Sequence, residues 1–401
     1  MRKQGWTYKK LGEVVRFMAD GDWIESKDQS KNGIRLIQTG NIGNGIFKLK
    51  EDKAHFITEE TMSRLGCTEI FEGDCLVSRL PEPVGRACII PSTGHRMITA
   101  VDCSIIRFKN ECLSRFFIYY TQCSKYLNCV NDYITGTTRK RISRKNLEKI
   151  IVPVPSMEEQ GRIVARLDAA FAQIDELRAN AEKQLEEARA LFNAALNEEM
   201  KPKKGWEEKK LKEIGLTQTG TTPSKSVASN YGDFIPFIRP SEIDYDGCGN
   251  INYNSEMRLS ETGLANGRLF KKNSILMVCI GATISKVGFT IKDISCNQQI
   301  NVLYPYNDYY YKFIYYAMRS DDFKNKVVKE GTSAQATLPI INKSKWENLS
   351  FCLPDSLSEQ EAIVERLDVL SERVKELEEI ARTTVKECDA LKQSILRETF
   401  E

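Results

Sequence analysis

The sequence predicts an α+β protein in which one unit, a mixed α/β globular part followed by a long helix, occurs twice, with the two helices paired antiparallel inside the chain. Three observations lead there: self-similarity at an offset of 200 residues, a charge pattern that alternates twice, and two long stretches with a helical apolar seam. Self-similarity comes first, because a missed repeat misassigns a whole fold. "EEQGRIVARLD" from Glu158 is answered by "SEQEAIVERLD" from Ser358, with identities at Glu159/Glu359, Gln160/Gln360, Ile163/Ile363, Val164/Val364 and Arg166–Asp168/Arg366–Asp368. "KQGWTYKKLGEV" from Lys3 is answered by "KKGWEEKKLKEI" from Lys203, which sets Trp6 and Trp206 200 residues apart. "FIYY" recurs at Phe117–Tyr120 and Phe313–Tyr316, followed by "GTT" at Gly136 and "GTS" at Gly331. The signals run in one order in both halves. A pseudo-twofold internal repeat follows, with boundaries at 1–156, 157–200, 201–356 and 357–401.

Each globular part reads as mixed. "DCLVSRL" (Asp74–Leu80), "SILMVCIGATI" (Ser274–Ile284), "AVDCSIIRF" and "EKIIVPVP" are short apolar runs after turn residues, as buried strands are. "LSRFFIYYTQCSKYLNCV" and "YYYKFIYYAMRSDDFKNKVV" have helical periodicity, and glycine-rich loops such as "TGNIGNGIF" separate the elements. Outside the shared anchors the two parts match poorly, which fits either one scaffold with different surface loops or simple drift.

The long helices come next. Pro155 and Pro354 mark where each can begin, since the residue before a proline disfavours helix. Apolar residues then fall at Ile163, Leu167, Ala170, Ile174, Leu177, Ala181, Ala188, Leu191 and Ala195. The second copy has Ile363, Leu367, Leu370, Val374, Leu377, Ala381, Cys388, Leu391 and Ile395. Steps of three and four describe a heptad seam, and the simplest partner for one helix is the other. At 1.5 Å per residue each helix reaches roughly 65 Å. An antiparallel pair returns the end of the second helix to the first globular part, so Trp6 stands to it as Trp206 stands to the end of the first.

Charge follows the same division. Residues 1–155 carry 25 basic and 17 acidic side chains, 157–200 carry 5 and 10, 201–356 carry 21 and 16, and 357–401 carry 7 and 12. Basic globular parts suit phosphates, whereas acidic helices avoid them. Apolar content of 41% with 28% charged residues is that of a soluble globular chain. The start lacks a signal-peptide core, and the longest apolar run, near Ile275–Ile284, is well short of the ~20 residues of a membrane span. The expected location is the cytoplasm. Twelve cysteines form no C-x-x-C pair and sit in apolar contexts, so buried reduced thiols are expected rather than disulfides or zinc ligands.

Catalytic patterns are missing. The two histidines, His55 and His95, form no H-E-x-x-H, and no phosphate-binding G-x-x-x-x-G-K-[ST] occurs. "GNIGNG" (Gly40–Gly45) lacks dinucleotide-binding spacing. No two prolines are adjacent, which removes the N-P-P-[YF] signature of amino-methyltransferases. The pattern is that of a binding protein without catalytic or metal-ligating residues of its own.

These residues resemble the DNA specificity subunit of type I restriction-modification systems. The resemblance spans essentially the whole chain. It rests on the duplicated "EQGRIVARLD"/"EQEAIVERLD" helix starts, "TGTTPSK" (Thr219–Lys225), "IPFIRPSEI" (Ile235–Ile243), "VCIGATISKVGF" (Val278–Phe289), "NQQIN" (Asn297–Asn301) and the tails "LFNAAL" and "LKQSIL". The first half departs from it at "DGDWIESK" (Asp20–Lys27), which stands where the second has "TGTTPSK". The resemblance implies two target recognition domains, each reading one half of a bipartite asymmetric site in double-stranded DNA. It implies helices that set the spacer and dock two adenine-N6 methyltransferase subunits, and a restriction and translocation subunit beyond them. S-adenosylmethionine, ATP and Mg belong to those partners, and the host would be bacterial or archaeal. A coiled-coil adaptor whose modules bind protein remains the alternative.

Candidate DNA contacts in the first part are Thr137, Thr138, Arg139, Lys140 and Arg141, three adjacent cations behind a glycine. Gln38, Asn41 and Asn44 are candidate adenine readers, and Arg79 and Arg86 candidate guanine readers. For the two arginines, salt bridges to Glu82 or Glu72 compete with that role. In the second part the candidates are Lys225, Arg239, Lys286, Gln298, Thr332, Ser333 and Gln335. Arg166 and Arg366 are expected to pair with a carboxylate at the helix start.

Overall fold

The computed structural model describes residues 3–243, 251–254, 257–331 and 339–401. The chain divides into two compact units, Met1–Ala179 with Thr384–Glu401, and Asn180–Thr383. The boundaries fall inside the two long helices, Met157–Glu199 and Leu357–Phe400. Each unit is thus one globular module plus half of each helix.

In the first unit, an antiparallel sheet runs in the order Val15–Asp20, Cys103–Phe108, Cys75–Ser78, Ala87–Ile89. A second sheet runs His55–Ile57, Ile34–Ile37, Met97–Thr99, Glu69–Ile70, with a parallel pair at its centre. The second unit repeats this order with Gly215–Thr219, Ile300–Pro305, Ile275–Val278, Val287–Phe289, and with Arg258–Leu259, Tyr231–Ile238, Ser295–Cys296, again with one parallel pair. The scaffold is therefore shared where the sequences barely match. The two "FIYY" segments are each broken into two helices, Ser114–Thr121 then Ser124–Asn131, and Tyr311–Arg319 then Asp321–Gly331. Cys123 and Ser320, both extended, make the corner. The eleven described cysteines are free thiols, eight of them buried; burial pushes Cys88, Cys103 and Cys279 up to about 12, so they stay protonated.

The repeated helix start has a definite job. Ser156 and Ser356 cap the helices, their hydroxyls accepting from the N–H of Glu159 and Glu359 at 3.2 and 3.3 Å. Four residues on, fully buried Gln160 accepts from Leu113 N–H (2.8 Å) and donates to Glu111 O (2.8 Å) and Pro155 O (2.9 Å). Gln360 accepts from Tyr310 N–H (2.8 Å) and donates to Pro354 O (2.9 Å). Asp168 then accepts from Arg115 (2.8 Å) and from the Tyr119 hydroxyl, while Asp368 accepts from Lys312 and from the Tyr316 hydroxyl (2.7 Å). One stretch is needed twice because each module is latched to its helix by the same glutamine and aspartate.

Inside each unit the helices run antiparallel. In the first, Arg166 donates to Thr399 Oγ1 (2.9 Å), Arg178 pairs with Asp389 (3.2 Å), and the Cys388 thiol reaches Ile174 O (3.7 Å). In the second, Arg189 pairs with Glu378 (2.7 Å) and Arg366 with Glu199 (2.7 Å). Arg366 does meet a carboxylate, but at the end of the other helix rather than at its own start, and Arg166 meets a hydroxyl there. Phe400 enters the first module's core against Trp6, Phe116 and Tyr120, at ring separations of 6.4, 5.4 and 5.5 Å. Burying such a ring contributes roughly 1.5–3 kcal/mol.

The seam differs from the heptad reading. Ile163, Leu167, Ile174, Ile363, Leu367 and Val374 are buried and Leu377 half-buried, but Leu177, Leu191 and Leu391 are 56%, 65% and 49% exposed. The stripe that is covered runs Ile163, Leu167, Phe171, Ile174, Arg178, Ala181, Leu185, Ala188, Phe192, Leu196. It takes nine steps over 33 residues, about 3.7 per step, because a helix of 3.6 residues per turn drifts ~20° per heptad away from a 3.5 repeat. Arg178, Phe192 and Lys392 occupy the places assigned to those three leucines. Lys392 covers the seam with its stem, pairing with Asp175 at 2.5 Å and lying 5.1 Å from the Phe171 ring.

Candidate nucleic-acid interface

The rim of the first module is built where Val15–Asp20 runs out. Gly21 donates to Cys103 O (2.9 Å) and Asp22 N–H to Thr99 O (2.8 Å). A Cβ on Gly21 would lie 2.2 Å from Ala100 O, so only glycine lets the strand turn this tightly. In the second module Gly220 donates to Ile300 O and Thr221 N–H to Cys296 O, both at 2.9 Å, and a Cβ on Gly220 would lie 2.1 Å from Asn297 O. Gly21 and Gly220 are one position. Two further anchors fix the correspondence. Ile142 and Ile341 donate to Arg79 O and Cys279 O, and Ser78 and Val278 donate to Arg86 O and Lys286 O. Arg79 thus matches Cys279, and Arg86 matches Lys286.

The cationic hairpin stands on this rim. Thr135 and Arg141 exchange N–H···O bonds of 2.9 Å, leaving Gly136, Thr137, Thr138, Arg139 and Lys140 at an exposed tip. Arg139 and Arg141 both reach one carboxylate, Asp102, at 3.0 and 3.4 Å. A single negative charge beneath three cations holds the hairpin in place and leaves a positive excess facing water. Asp20, at the end of its strand, pairs with Arg79 (3.2 Å) and Arg144 (3.8 Å).

The guanine-reader assignments for Arg79 and Arg86 do not stand. Arg79 is buried, salt-bridged to Asp20 and bonded to Val101 O. Arg86, also buried, donates to Ile42 O (2.7 Å), Thr39 O (2.8 Å), Leu80 O (2.9 Å), Pro81 O (2.6 Å) and Pro83 O (3.1 Å). Neither pairs with Glu72 or Glu82 among the described residues. A guanidinium carries five donors; Arg86 spends nearly all of them on loop carbonyls, and Arg79 spends its two terminal nitrogens on Val101 O and Asp20. Lys286 repeats the role, donating to Pro240 O (3.1 Å) as Arg86 does to Thr39 O.

Asn41 is likewise committed. Its side chain accepts from Gln38 N–H (2.9 Å) and donates to Lys48 O (2.9 Å), so it closes a turn rather than presenting an amide to a base. Glu242 does the same for Arg239, accepting its N–H at 2.9 Å and its guanidinium at 2.6 Å. Gln38 is half-buried and Asn44 exposed. Lys225 is exposed in a loop pinned by Tyr231 OH to Pro223 O (2.7 Å), and exposed Gln298 accepts from the Thr222 hydroxyl. Thr332, Ser333 and Gln335 lie outside the described residues. Sequence reasoning missed Asp20 and Asp102, the carboxylates that anchor the arginines. Nothing local marks them, since their partners lie tens of residues away.

One scaffold used twice, with different chemistry on equivalent rims, defines a duplicated recognition module. A family model described as "Type I restriction modification DNA specificity domain" matches residues 3–187 and again 203–386. The chain belongs to this family, and its role is DNA sequence specificity. The HindI specificity subunit of Haemophilus influenzae is 27% identical over 151 residues, 38% of this chain and 32% of that one, so the match spans about a third of that relative's length. The StySPI specificity subunit of Salmonella potsdam is 23% identical over 425 residues, 99% of this chain and 89% of that one. Among solved structures, a chain from work on complex assembly and conformational transition of the type I R-M system matches 100% of this chain and 99% of its own, at TM-score 0.75 and 18% identity. The HsdS subunit from Thermoanaerobacter tengcongensis matches 100% and 97%, at TM-score 0.52 and 18% identity. These likenesses show the fold.

Proposed function

We propose that each module reads one half of an asymmetric bipartite DNA site, that the antiparallel helices set the unread spacer, and that two adenine-N6 methyltransferase subunits dock on them. S-adenosylmethionine, and the ATP and magnesium of a restriction and translocation subunit, are used by those partners, and this chain is non-catalytic. The complex works in the cytoplasm, where the DNA is; no described helix is long and apolar enough to cross a membrane.

The observation that carries the reading is the equivalence of the two rims. Asp20, Gly21 and Asp22 stand where Thr219, Gly220 and Thr221 stand, so equivalent backbone clamps present unlike groups. Phosphate contacts would position each module and rim side chains would read base edges. The relatives' names, specificity subunits of type I restriction enzymes, support the assignment of chemistry to partners. The test is to express the chain with its methyltransferase partner and sequence the methylated adenines. Two short motifs at a fixed separation are expected; a single uninterrupted motif would overturn the reading.

A further inference from the structure

We propose that Trp23 is an aromatic DNA contact of the first module, an inference that rests on the bipartite reading above. Trp23 is 70% exposed, the most exposed large apolar side chain among the described residues. A single exposed hydrophobe is ordinary in itself. This one is different because its backbone is clamped on both sides. Gly21 and Asp22 are bonded to Cys103 O and Thr99 O, and the Asp22 carboxylate accepts from Thr68 N–H at 2.8 Å. Downstream, Asp28 accepts from Glu25 N–H (3.1 Å) and pairs with Arg64 (2.5 Å). The loop therefore holds an indole outward in one place, at the cost of its hydration.

The surroundings select the occupant. The segment Thr99–Cys103, against which this loop lies, also carries Asp102, the anchor of Arg139 and Arg141. The Gly21–Asp22 start of the Trp23 loop and the cationic hairpin are thus fixed to the same five residues. The nearby acids are engaged: Asp22 by Thr68, Asp28 by Arg64, and Glu25 by Lys27 at 2.7 Å and by the Trp23 indole N–H at 3.4 Å, which leaves the ring face open. An exposed aromatic on the same supporting segment as the arginine hairpin suits a polyanion whose grooves also offer sugar edges and thymine methyls. The register of the second module places Thr222 at this position, bonded to Gln298. The aromatic contact belongs to one half-site only.

The test uses the complex with the methyltransferase partner, the chain labelled with 5-hydroxytryptophan so that it is excited apart from partner tryptophans. Trp346 is fully buried, and Trp6 and Trp206 pack on Phe116 and Phe313, so Trp23 dominates quenching by acrylamide. Cognate duplex is expected to protect it, and W23F should abolish that change. W23A should bind the duplex about tenfold more weakly, with W23F between it and wild type. The loss should vanish when the first half-site is scrambled and persist when the second is. Affinity of W23A within twofold of wild type, or protection by the partner without DNA, overturns the proposal. A wild-type complex with no preference for its own methylated motif would instead remove the bipartite reading, and this contact with it.

Discussion

Asp20 and Thr219 close equivalent strands, opposite Ser104 and Asn301, and each is bonded to that neighbour, at 3.1 and 2.8 Å. One residue later both strands need glycine, and one residue beyond that they diverge into "DWIESK" and "TTPSK". The same comparison holds at Arg86 and Lys286, which tie the same loop, Arg86 through Thr39 O and Ile42 O and Lys286 through Pro240 O. The difference teaches where variation is tolerated. Positions that hold the backbone keep their geometry through different side chains, and positions past the last backbone clamp are free to change what they present.

The largest test of this comparison exchanges a whole module. Replacing residues 1–155 with another first module should change one half of the methylated motif and leave the other half intact, as read by sequencing modified adenines. Change in both halves would mean that the modules do not read independently. Next in size is the spacer. The covered stripe advances about 3.7 residues per step, so removing 11 residues from the middle of each helix keeps it in phase, whereas removing seven leaves it about 30° out of phase. The 11-residue deletion should shorten the preferred spacer by roughly 16 Å, about five base pairs. It should also melt at a higher temperature than the seven-residue deletion. An unchanged spacer would discard the ruler.

The latch is smaller and local. Gln160→Ala leaves the half-buried Leu113 N–H and Glu111 O and the buried Pro155 O without their partner and should cost about 2–3 kcal/mol in chemical denaturation. Gln360→Ala, with two such bonds, should cost about as much in its own unit. A loss below about 0.5 kcal/mol at both would show that the modules are held by apolar packing alone. Smaller again is the hairpin: replacing Arg139, Lys140 and Arg141 with alanine should weaken binding on all sequences and lower the salt slope by up to about three units. An unchanged slope would remove the hairpin from the phosphate contacts.

The repeat, the helices and their antiparallel pairing were legible because they rest on periodicity and on an offset that any reader can count. The seam was misplaced at Leu177, Leu191 and Leu391 because apolar identity was followed at 3.5 residues, while the helix covers whatever lies at 3.6, including Arg178 and Lys392. The rim was only half legible. "TTRKR" shows itself as a charge run, but whether an arginine is buried depends on partners such as Asp20 and Thr39, far away in sequence. Arg79 and Arg86 look like readers in one dimension and are structural cations in three. Trp23 had a signal, an aromatic among acids where the halves depart, yet its exposure depends on Gly21 lying against Ala100.

The smallest effect concerns the ends of the helices, where Arg166 meets Thr399 and Arg366 meets Glu199. The Arg366 guanidinium, with Lys203 at 2.9 Å, holds the Glu199 carboxyl down at about 2. A folded carboxyl below its ordinary value stabilises the fold above its unfolded pKa of about 4.5 and loses that contribution as pH falls toward about 2. The pair is partly solvated, so the contribution is about 1 kcal/mol or less. Glu199→Gln should therefore be slightly less stable than wild type at pH 7, with the gap closing between about pH 4.5 and 2 in denaturation curves. Thr399 offers its helix end no charge, so Thr399→Val should show a gap that does not vary across that window. A pH-independent gap for both would mean that the ion pair adds nothing beyond the hydrogen bond its twin makes with a hydroxyl.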